Sequence, residues 1–408
     1  MKTFQVVTLG CRTNQYESQA YTGQLIGMGL NRSYFNGKYT TRPYWKDNDM
    51  KITIAEPLRP FSHQPGASCI IPHSGWQLTA FPSLIQLRHL KEADSIDLHL
   101  SLKGPVTDFT VQQDLEGGRV TIFGVAQQGY FRFVLKQEDL GLCFYLEKIP
   151  VGGITLSMES GSRDVQAPDM ILLNPRPEPT YRRLTEKLSL GNHKSQDFAV
   201  IRKRAQMAEI FPHWLKLGQM IPHAPTSDVS GGVMQLINDC SSCLQKSDAM
   251  SVIEAFKPLF LAGFSSILSP RLIDDEYQGI ISCHTVPSQA CALDLLSKGA
   301  EIIRALFFTE EEDCYHILPC LASEFHCGRF IGIKTLSGDQ IDIAWSKKQI
   351  RSIIVQPMAS KEISFCLQKS VACFRLRTSL SDKGVILAAH DRITCKEGQT
   401  LYLDRFQK

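Results

Sequence analysis

The chain has 408 residues, of which 43% are hydrophobic and 21% are charged, a composition that is typical of a globular protein and excludes an intrinsically disordered one. Its 44 basic and 41 acidic side chains leave a formal net charge of +3, which is too small to indicate nucleic-acid or membrane binding through charge alone. Because a single hydrophobic core stops growing at roughly 250 to 300 residues, the length predicts two or three domains.

Hydropathy along the chain predicts a soluble protein with no membrane partner. The longest apolar stretch, residues 258 to 268, is interrupted by Gly263 and falls well short of the ~20 residues that span a bilayer. The first residues lack the apolar segment of about 7 to 15 residues that a secretory signal needs. We therefore expect a cytoplasmic protein whose 13 cysteines are reduced thiols and form no disulfide framework.

The first 30 residues predict a short βα unit. A strand at Phe4 to Thr8 is followed by a turn at Gly10 and by a helix from about Tyr16 to Ile26. Residues 31 to 49 show neither a strand nor a helix period, and they predict a junction. Since a lone strand and helix cannot bury a core of their own, we expect residues 1 to 49 to be dispensable for folding of the rest.

This βα unit contains the run Val7-Thr-Leu-Gly-Cys-Arg-Thr-Asn-Gln-Tyr-Glu-Ser18. The run resembles the opening of the tRNA methylthiotransferases, radical enzymes that add a methylthio group to a tRNA adenosine. The resemblance implies that Cys11 is a ligand of a [4Fe–4S] cluster, with S-adenosylmethionine as the second cofactor and tRNA as the partner. The next cysteine is Cys69, and no C-x-x-x-C-x-x-C sequence occurs in the chain. Because each cluster needs several thiolates, we expect an incomplete member that carries no cofactor.

A β-rich domain is predicted for residues 50 to 179, where short alternating segments are separated by Gly, Pro and Asp turns, Gly117-Gly118 among them. The predicted strands are Lys51 to Ala55, Gln77 to Phe81, Ser95 to Leu100, Val120 to Gly124 and Tyr130 to Leu135.

Beyond the proline-rich segment at 174 to 179, the apolar spacing becomes helical, with stripes that begin at Phe198, Val233 and Leu293. After residue 310 the period returns to two. The predicted fold is a multidomain α+β protein. Its parts are a methylthiotransferase-like fragment (1–30), a junction (31–49), a β-rich domain (50–179), a helical domain (180–310) and a C-terminal antiparallel β-sandwich (311–408).

Two segments near the end of the helical region carry a second resemblance. A helix that starts at Leu293 leads into Tyr315-His-Ile-Leu-Pro-Cys-Leu, and Gly338-Asp-Gln-Ile-Asp-Ile-Ala-Trp345 follows. Together with the order of the domains, these segments resemble the α-L-fucosidase-type glycoside hydrolases, whose catalytic core is an (α/α)6 barrel. The family's Asp-Gly-Asn-Phe-Gly loop is replaced here by residues 283 to 288, so no catalytic residue is transferred. The resemblance implies a carbohydrate-active or carbohydrate-binding protein with a degenerate catalytic site and a glycan ligand.

Three neighbouring carboxylates, Asp274, Asp275 and Glu276, are the best candidates for acid/base catalysis. Crowded carboxylates raise one another's pKa, and a carboxyl group with a raised pKa is suited to general acid work. The alternative is a solvated acidic loop that caps the next helix.

The turn at residues 191 to 197 is dense in hydrogen-bonding side chains and predicts a polar-ligand loop. Its alternative role is to cap the helix that follows. The candidate ligand-binding residues in it are Asn192, His193, Lys194, Gln196 and Asp197.

The sequence therefore supports three hypotheses of function from different classes. The first is a glycoside-hydrolase-like carbohydrate-active or carbohydrate-binding protein, and the second is a tRNA methylthiotransferase based on Cys11 and its neighbours. The third is a non-catalytic structural or interaction protein. Whether the chain is an enzyme stays open at this point.

Overall fold

The computed structural model describes most of the chain from residue 66 onward. The described residues are 3–4, 31–32, 53–58, 66–176, 186–191, 197–222, 231–246, 248–274 and 290–408. The chain divides into two compact units, Met1–Asp47 and Asn48–Lys408. In the first unit, strands β1 (Thr3–Phe4) and β2 (Asn31–Arg32) pair in parallel. The predicted helix at residues 16 to 26 lies outside the described residues.

Twelve strands of the second unit form two six-stranded antiparallel sheets. They are β3 (Thr53–Leu58), β4 (Ala67–Ile70), β5 (Trp76–Phe81), β6 (Leu84–His89), β7 (Ser95–Leu100), β8 (Thr107–Asp114), β9 (Arg119–Ala126), β10 (Gly129–Glu138), β11 (Gly141–Lys148), β12 (Ile154–Met158), β13 (Gly161–Val165) and β14 (Asp169–Asn174). Sheet I has the order β14-β11-β10-β9-β8-β3, and sheet II has the order β13-β12-β7-β6-β5-β4.

Alternating side chains bury one face of sheet I. On β10, Phe131, Phe133 and Leu135 point into the core and are inaccessible to solvent. Phe133 lies between two other aromatic rings, with ring centroids 5.1 Å from Phe131 and 5.4 Å from Phe144. The predicted strands at 77–81, 95–100, 120–124 and 130–135 all lie within observed strands, which confirms the β-rich character of this region.

Five described helices follow the two sheets. They are α1 (Phe198–Arg204), α2 (Met207–Gln219), α3 (Met234–Gln245), α4 (Ala249–Gly263) and α5 (Leu293–Phe307). The apolar stripe from Phe198 to Ala208 predicts one continuous helix, but the structure has two. Ala205 adopts a left-handed conformation, with φ of 46°, and ends α1 before α2 begins.

Helices α2 and α5 approach closely because small residues lie where they cross. A side chain at Gly299 would overlap the indole ring of Trp214, and one at Gly218 would lie 2.6 Å from the carbonyl oxygen of Leu296. The same carbonyl accepts a hydrogen bond from Trp214 Nε1 at 3.1 Å. Glycines at both positions therefore allow the two backbones to pack and the buried indole to find an acceptor.

The region predicted to be helical, residues 180 to 310, also contains strands. Strand β15 (Lys187–Ser189) precedes α1, and the short strands β16 (Phe264–Ser265) and β17 (Ser269–Pro270) form a hairpin after α4. The hairpin docks on sheet II, where Ser68 N donates to Ser266 Oγ at 2.8 Å. The helical prediction for this region is therefore too simple, because short strands of two or three residues carry no measurable period.

Ten strands make up the C-terminal region. They are β18 (Phe308–Glu311), β19 (Cys314–Ile317), β20 (Cys327–Lys334), β21 (Gln340–Ser346), β22 (Gln349–Gln356), β23 (Lys361–Cys366), β24 (Cys373–Arg377), β25 (Val385–Ala388), β26 (Ile393–Cys395) and β27 (Leu401–Gln407). Sheet III has the order β15-β20-β21-β22-β27-β24-β25, and sheet IV has the order β18-β19-β23-β26.

One pair of strands corrects the prediction of a purely antiparallel sandwich. Strands β19 and β23 run parallel, because the chain leaves sheet IV for three strands of sheet III and returns in its original direction. A parallel pair needs such a long crossover. The α+β composition is otherwise as predicted. A continuous core runs through the second unit, where Phe307 of α5 stacks on Trp345 of β21 with ring centroids 5.5 Å apart.

Candidate functional site

A cleft of about 570 Å³ lies at one end of the sandwich formed by sheets I and II. We call it the hairpin cleft, because hairpin turns supply most of its lining. The lining residues are His73, Glu116, Gly117, Gly118, Lys136, Gln137, Glu138, Asp139 and Leu140. The volume falls within the roughly 300 to 1,000 Å³ range of small-molecule sites, and most of the lining side chains are polar.

The β8–β9 turn is shaped by Asp114, whose carboxylate accepts hydrogen bonds from the backbone N–H of Glu116 at 3.1 Å and of Gly117 at 2.9 Å. Gly118 follows in a left-handed conformation, with φ of 60°. A glycine fits there because a side chain would press on the ring of His73. The turn therefore holds Glu116 at the hairpin tip, beside His73.

Glu116 is joined to two lysines from outside sheet I. Its carboxylate contacts the ammonium group of Lys216 on α2 and lies 3.8 Å from that of Lys187 on β15. The Lys216 side chain is almost fully buried, and burial lowers its pKa, while the hydrogen bond to Glu116 opposes that change. Two positive charges therefore lie beside the carboxylate of Glu116.

Gln137 places an unsatisfied hydrogen-bond acceptor at the cleft. The residue is 7% exposed, and its Oε1 is buried with no hydrogen-bond partner in the described part of the chain. Its Nε2 donates to the backbone oxygen of Glu138 at 3.3 Å, which orients the amide. An unpaired buried acceptor costs about 1 to 3 kcal/mol, so the amide of Gln137 gains a hydrogen bond if it turns toward a donor in the cleft.

Glu138 is the residue after Gln137 on strand β10, and its surroundings favour the ionised carboxylate. A hydrogen bond from the Tyr145 hydroxyl lowers its pKa, and Lys136 Nζ lies 3.1 Å from its Oε1. Burial, followed by the same hydrogen bond, raises the pKa of Tyr145 to about 12. A carboxyl group that is ionised at neutral pH accepts hydrogen bonds and does not serve as a general acid.

A buried histidine supports the sheet behind the β8–β9 turn. His213 on α2 is 2% exposed, and its Nε2 lies 2.6 Å from the Oε1 of Gln113. Burial, with a further contribution from Lys216, lowers the pKa of His213 to about 3. The neutral imidazole therefore donates from Nε2 to Gln113, whose own amide donates to the carbonyl of Ile70 at 2.6 Å.

The hairpin cleft does not include the candidate catalytic residue Asp274. Its carboxylate is fully buried and pairs with Arg271 at 3.1 Å. Arg271 also donates to the carbonyl oxygen of Ala262 in the last turn of α4 at 2.8 Å. This arrangement ties a loop to a helix end. The other two acidic candidates, Asp275 and Glu276, lie outside the described residues.

Of the candidate ligand-binding residues in the predicted polar-ligand loop, the structure describes Asp197. That side chain accepts a hydrogen bond from Ala199 N at 3.0 Å and caps the start of α1, which corresponds to the capping alternative. The positions outside the described residues are Cys11 and the loop residues Asn192, His193, Lys194 and Gln196.

A second buried polar cluster lies in the C-terminal region. Asp339 accepts from the hydroxyl of Tyr315 at 2.6 Å and from Lys361 Nζ at 2.9 Å, and its other oxygen accepts from Met358 N at 2.8 Å. Both of its oxygens are thus engaged by groups of the chain itself. The cluster ties β19, β23 and the β20–β21 turn together.

No protein-family model matches the chain, and none of the curated proteins compared is significantly similar to it. Among the described residues, no group of three or more His, Cys, Asp and Glu side chains is arranged to hold a metal ion. Each helix in the described part of the chain is too short or too polar to cross a lipid bilayer.

The sequence prediction missed the hairpin cleft because its residues come from three separate turns and from the end of strand β10. Gly117-Gly118 was identified only as a turn. The signal that was available is the placement of Glu116 before these glycines and of Gln137, Glu138 and Asp139 before Gly141. Polar side chains beside two tight turns mark hairpin tips, and hairpin tips of one sheet meet at the same end.

Proposed function

We propose that this chain is a carbohydrate-binding protein that holds a sugar unit in the hairpin cleft. The observation that carries the proposal is the unpartnered amide oxygen of Gln137, buried at a cleft that is also lined by Glu116, Glu138 and Asp139. Every sugar hydroxyl donates one hydrogen bond, so a site rich in acceptors suits a polyhydroxylated ligand. The resemblance of residues 293 to 345 to glycoside hydrolases supports the same ligand class.

Binding without hydrolysis is the role that the cleft supports best. Glycosidases need one carboxylic acid that stays protonated beside a second carboxylate. The hydrogen bond from Tyr145 lowers the pKa of Glu138, which is opposite to the change that a general acid requires. Glu116 is engaged by Lys216 and Lys187. These environments agree with the degenerate catalytic site that the sequence predicts.

The test is titration calorimetry of the full chain with L-fucose, D-galactose, D-glucose, D-mannose and D-xylose, compared with D-glucuronate. We expect at least one neutral sugar to bind. Substituting Gln137→Leu removes the buried acceptor and should weaken that binding about fivefold to tenfold, because a hydrogen bond contributes roughly 1 kcal/mol.

The matched control is Gln86→Leu on sheet II, whose amide lies 3.5 Å from Asp97 and does not line the cleft. It should leave the affinity unchanged. Absence of binding by every sugar, or equal binding by the wild type and Gln137→Leu, would contradict the proposal and leave a non-catalytic interaction role as the better description.

A further inference from the structure

The outer face of sheet I, which is turned away from the core, carries a group of apolar and aromatic side chains. One row of cross-strand neighbours consists of Thr121, Val134, Tyr145 and Met170, each paired with the next by strand register. We call the outward side of strands β9, β10, β11 and β14 the sheet I platform. Its apolar and aromatic members are Thr121, Phe123, Val125, Tyr130, Val134, Cys143, Tyr145, Met170 and Leu172.

The apolar side chains of the platform differ in their exposure to solvent. Val134 and Cys143 are buried although they point away from the core of the sandwich and do not belong to it. Tyr130, Met170 and Leu172 are each more than 40% exposed. The apolar groups that the platform offers to a partner are therefore Tyr130, Met170 and Leu172, and apolar groups that are exposed together on one surface mark an interaction site.

Charged groups on the platform are arranged in opposite pairs. Arg132 lies 2.9 Å from Glu147, and Lys136 lies 3.1 Å from Glu138. Lys148 Nζ lies over the ring of Tyr130, 5.8 Å from its centroid. Because opposite charges neighbour one another, the surface offers hydrogen-bonding groups without a strong field of either sign, and it suits a neutral partner better than a polyanion.

The platform is continuous with the hairpin cleft. Lys136 and Glu138 lie on the outward side of β10 and also line the cleft. The hydroxyl of Tyr145, in the central row of the platform, donates to Glu138. A ligand that fills the cleft and extends beyond Glu138 therefore meets the face of sheet I that carries Tyr145.

We propose that the sheet I platform binds the sugar units that follow the one in the hairpin cleft, so that the ligand is a neutral oligosaccharide. This inference rests on the proposed carbohydrate function and adds the ligand's length and charge. A pyranose ring has an apolar C–H face and a rim of hydroxyl groups. Aromatic rings combine apolar area with polar edges, and the paired ions beside them supply partners for the hydroxyls.

The experiment measures affinity against chain length for the full chain, by titration calorimetry. The probes are the gluco-, manno-, xylo- and galacto-oligosaccharides, each from monosaccharide to pentasaccharide. We expect affinity in the recognised series to rise at least about tenfold with length, which corresponds to roughly 1.4 kcal/mol. Substituting Tyr130→Ala should remove most of that rise, because this exposed ring contributes contact area and little to folding.

The matched control is Tyr402→Ala on sheet III, which should keep the full rise. Affinity that is equal for monosaccharide and pentasaccharide would overturn the platform proposal and leave the cleft function standing. Absence of binding at every length would overturn both. Sedimentation velocity supplies the remaining outcome: a dimer that Tyr130→Ala dissociates, with no dependence on glycan length, would overturn the proposal by identifying the platform as an interface between two copies.

Discussion

The Nε2 atom of His213 on helix α2 lies 2.6 Å from the amide oxygen of Gln113 on strand β8. The bond joins helix α2 to the inner face of sheet I, next to the turn that carries Glu116. Since the imidazole is buried and neutral, the contact depends on His213 staying deprotonated, and it makes the attachment of α2 to sheet I sensitive to acid.

This contact predicts a specific pH dependence of stability. The pKa of His213 is about 3 in the folded protein and 6.5 as a model value, so the unfolded chain binds a proton that the folded chain does not. Stability from this residue is complete above about pH 6.5 and is lost as the pH falls. Between about pH 6.5 and pH 5, the wild type should lose roughly 1 to 2 kcal/mol more than His213→Gln.

Urea denaturation at several pH values in that interval gives the measurement. The exposed residue His99 offers a matched control, and His99→Gln should follow the wild-type pH profile. Parallel profiles for the wild type and His213→Gln would show that the imidazole is accessible to protons in the folded state.

The buried ion pair of Asp274 and Arg271 predicts a stability role. Asp274→Ala leaves a largely buried guanidinium without its carboxylate and should lower the free energy of unfolding by about 3 kcal/mol. Asp97→Ala on the exposed side of β7 should change it by less than about 0.5 kcal/mol. Thermal and urea denaturation measure both. If glycosidase activity is found and the triple amide variant of Asp274, Asp275 and Glu276 abolishes it without loss of stability, a catalytic role replaces the structural one.

Starting the chain at Met50 should preserve the fold of the remainder. Met1–Asp47 forms a compact unit separate from Asn48–Lys408, and the boundary falls inside the predicted junction at residues 31 to 49. We expect the unfolding midpoint to change by no more than the few degrees that ~1 kcal/mol produces in a protein of this size. An insoluble or strongly destabilised product would show that the first unit packs on the second.

Cys11 leads to a prediction about iron. The methylthiotransferase-like motif at residues 7 to 18 supplies one thiolate, and the sequence contains no C-x-x-x-C-x-x-C run to supply further cluster ligands. After anaerobic reconstitution with iron and sulfide, we expect less than one cluster per chain, and Cys11→Ser should hold the same amount as the wild type. A stoichiometric charge-transfer band that Cys11→Ser abolishes would instead favour the methylthiotransferase function.

The sequence predicts well the elements whose side chains alternate between core and solvent. The strand predicted at Ser95 to Leu100 matches β7 at both ends, because period-two burial is visible in six residues. The helical stripe from Phe198 to Ala208 fails at Ala205, since a left-handed backbone at alanine leaves no compositional mark.

The candidate site was less predictable than the fold. His73, Glu116 and Gln137 meet because strand register brings three turns to one end of the sandwich, and a single sequence does not reveal register between sheets. The burial of Gln137 Oε1 depends on the same packing. Asp274, in contrast, was singled out for the density of acidic residues around it, and its burial against Arg271 is set by the end of α4.

The position of strand β15 constrains the order in which the chain acquires its structure during synthesis. Lys187 of β15 pairs with Ile331 of β20, so among the described strands this early strand meets its neighbour only after the ribosome has translated all five described helices and the first three strands of the C-terminal region. Sheets I and II are complete by Asn174. We expect a nascent chain halted near residue 300 to contain a finished sandwich with α2 already joined to sheet I through His213 and Lys216, while β15 still lacks strand β20 beside it, so that chaperone binding is concentrated on β15.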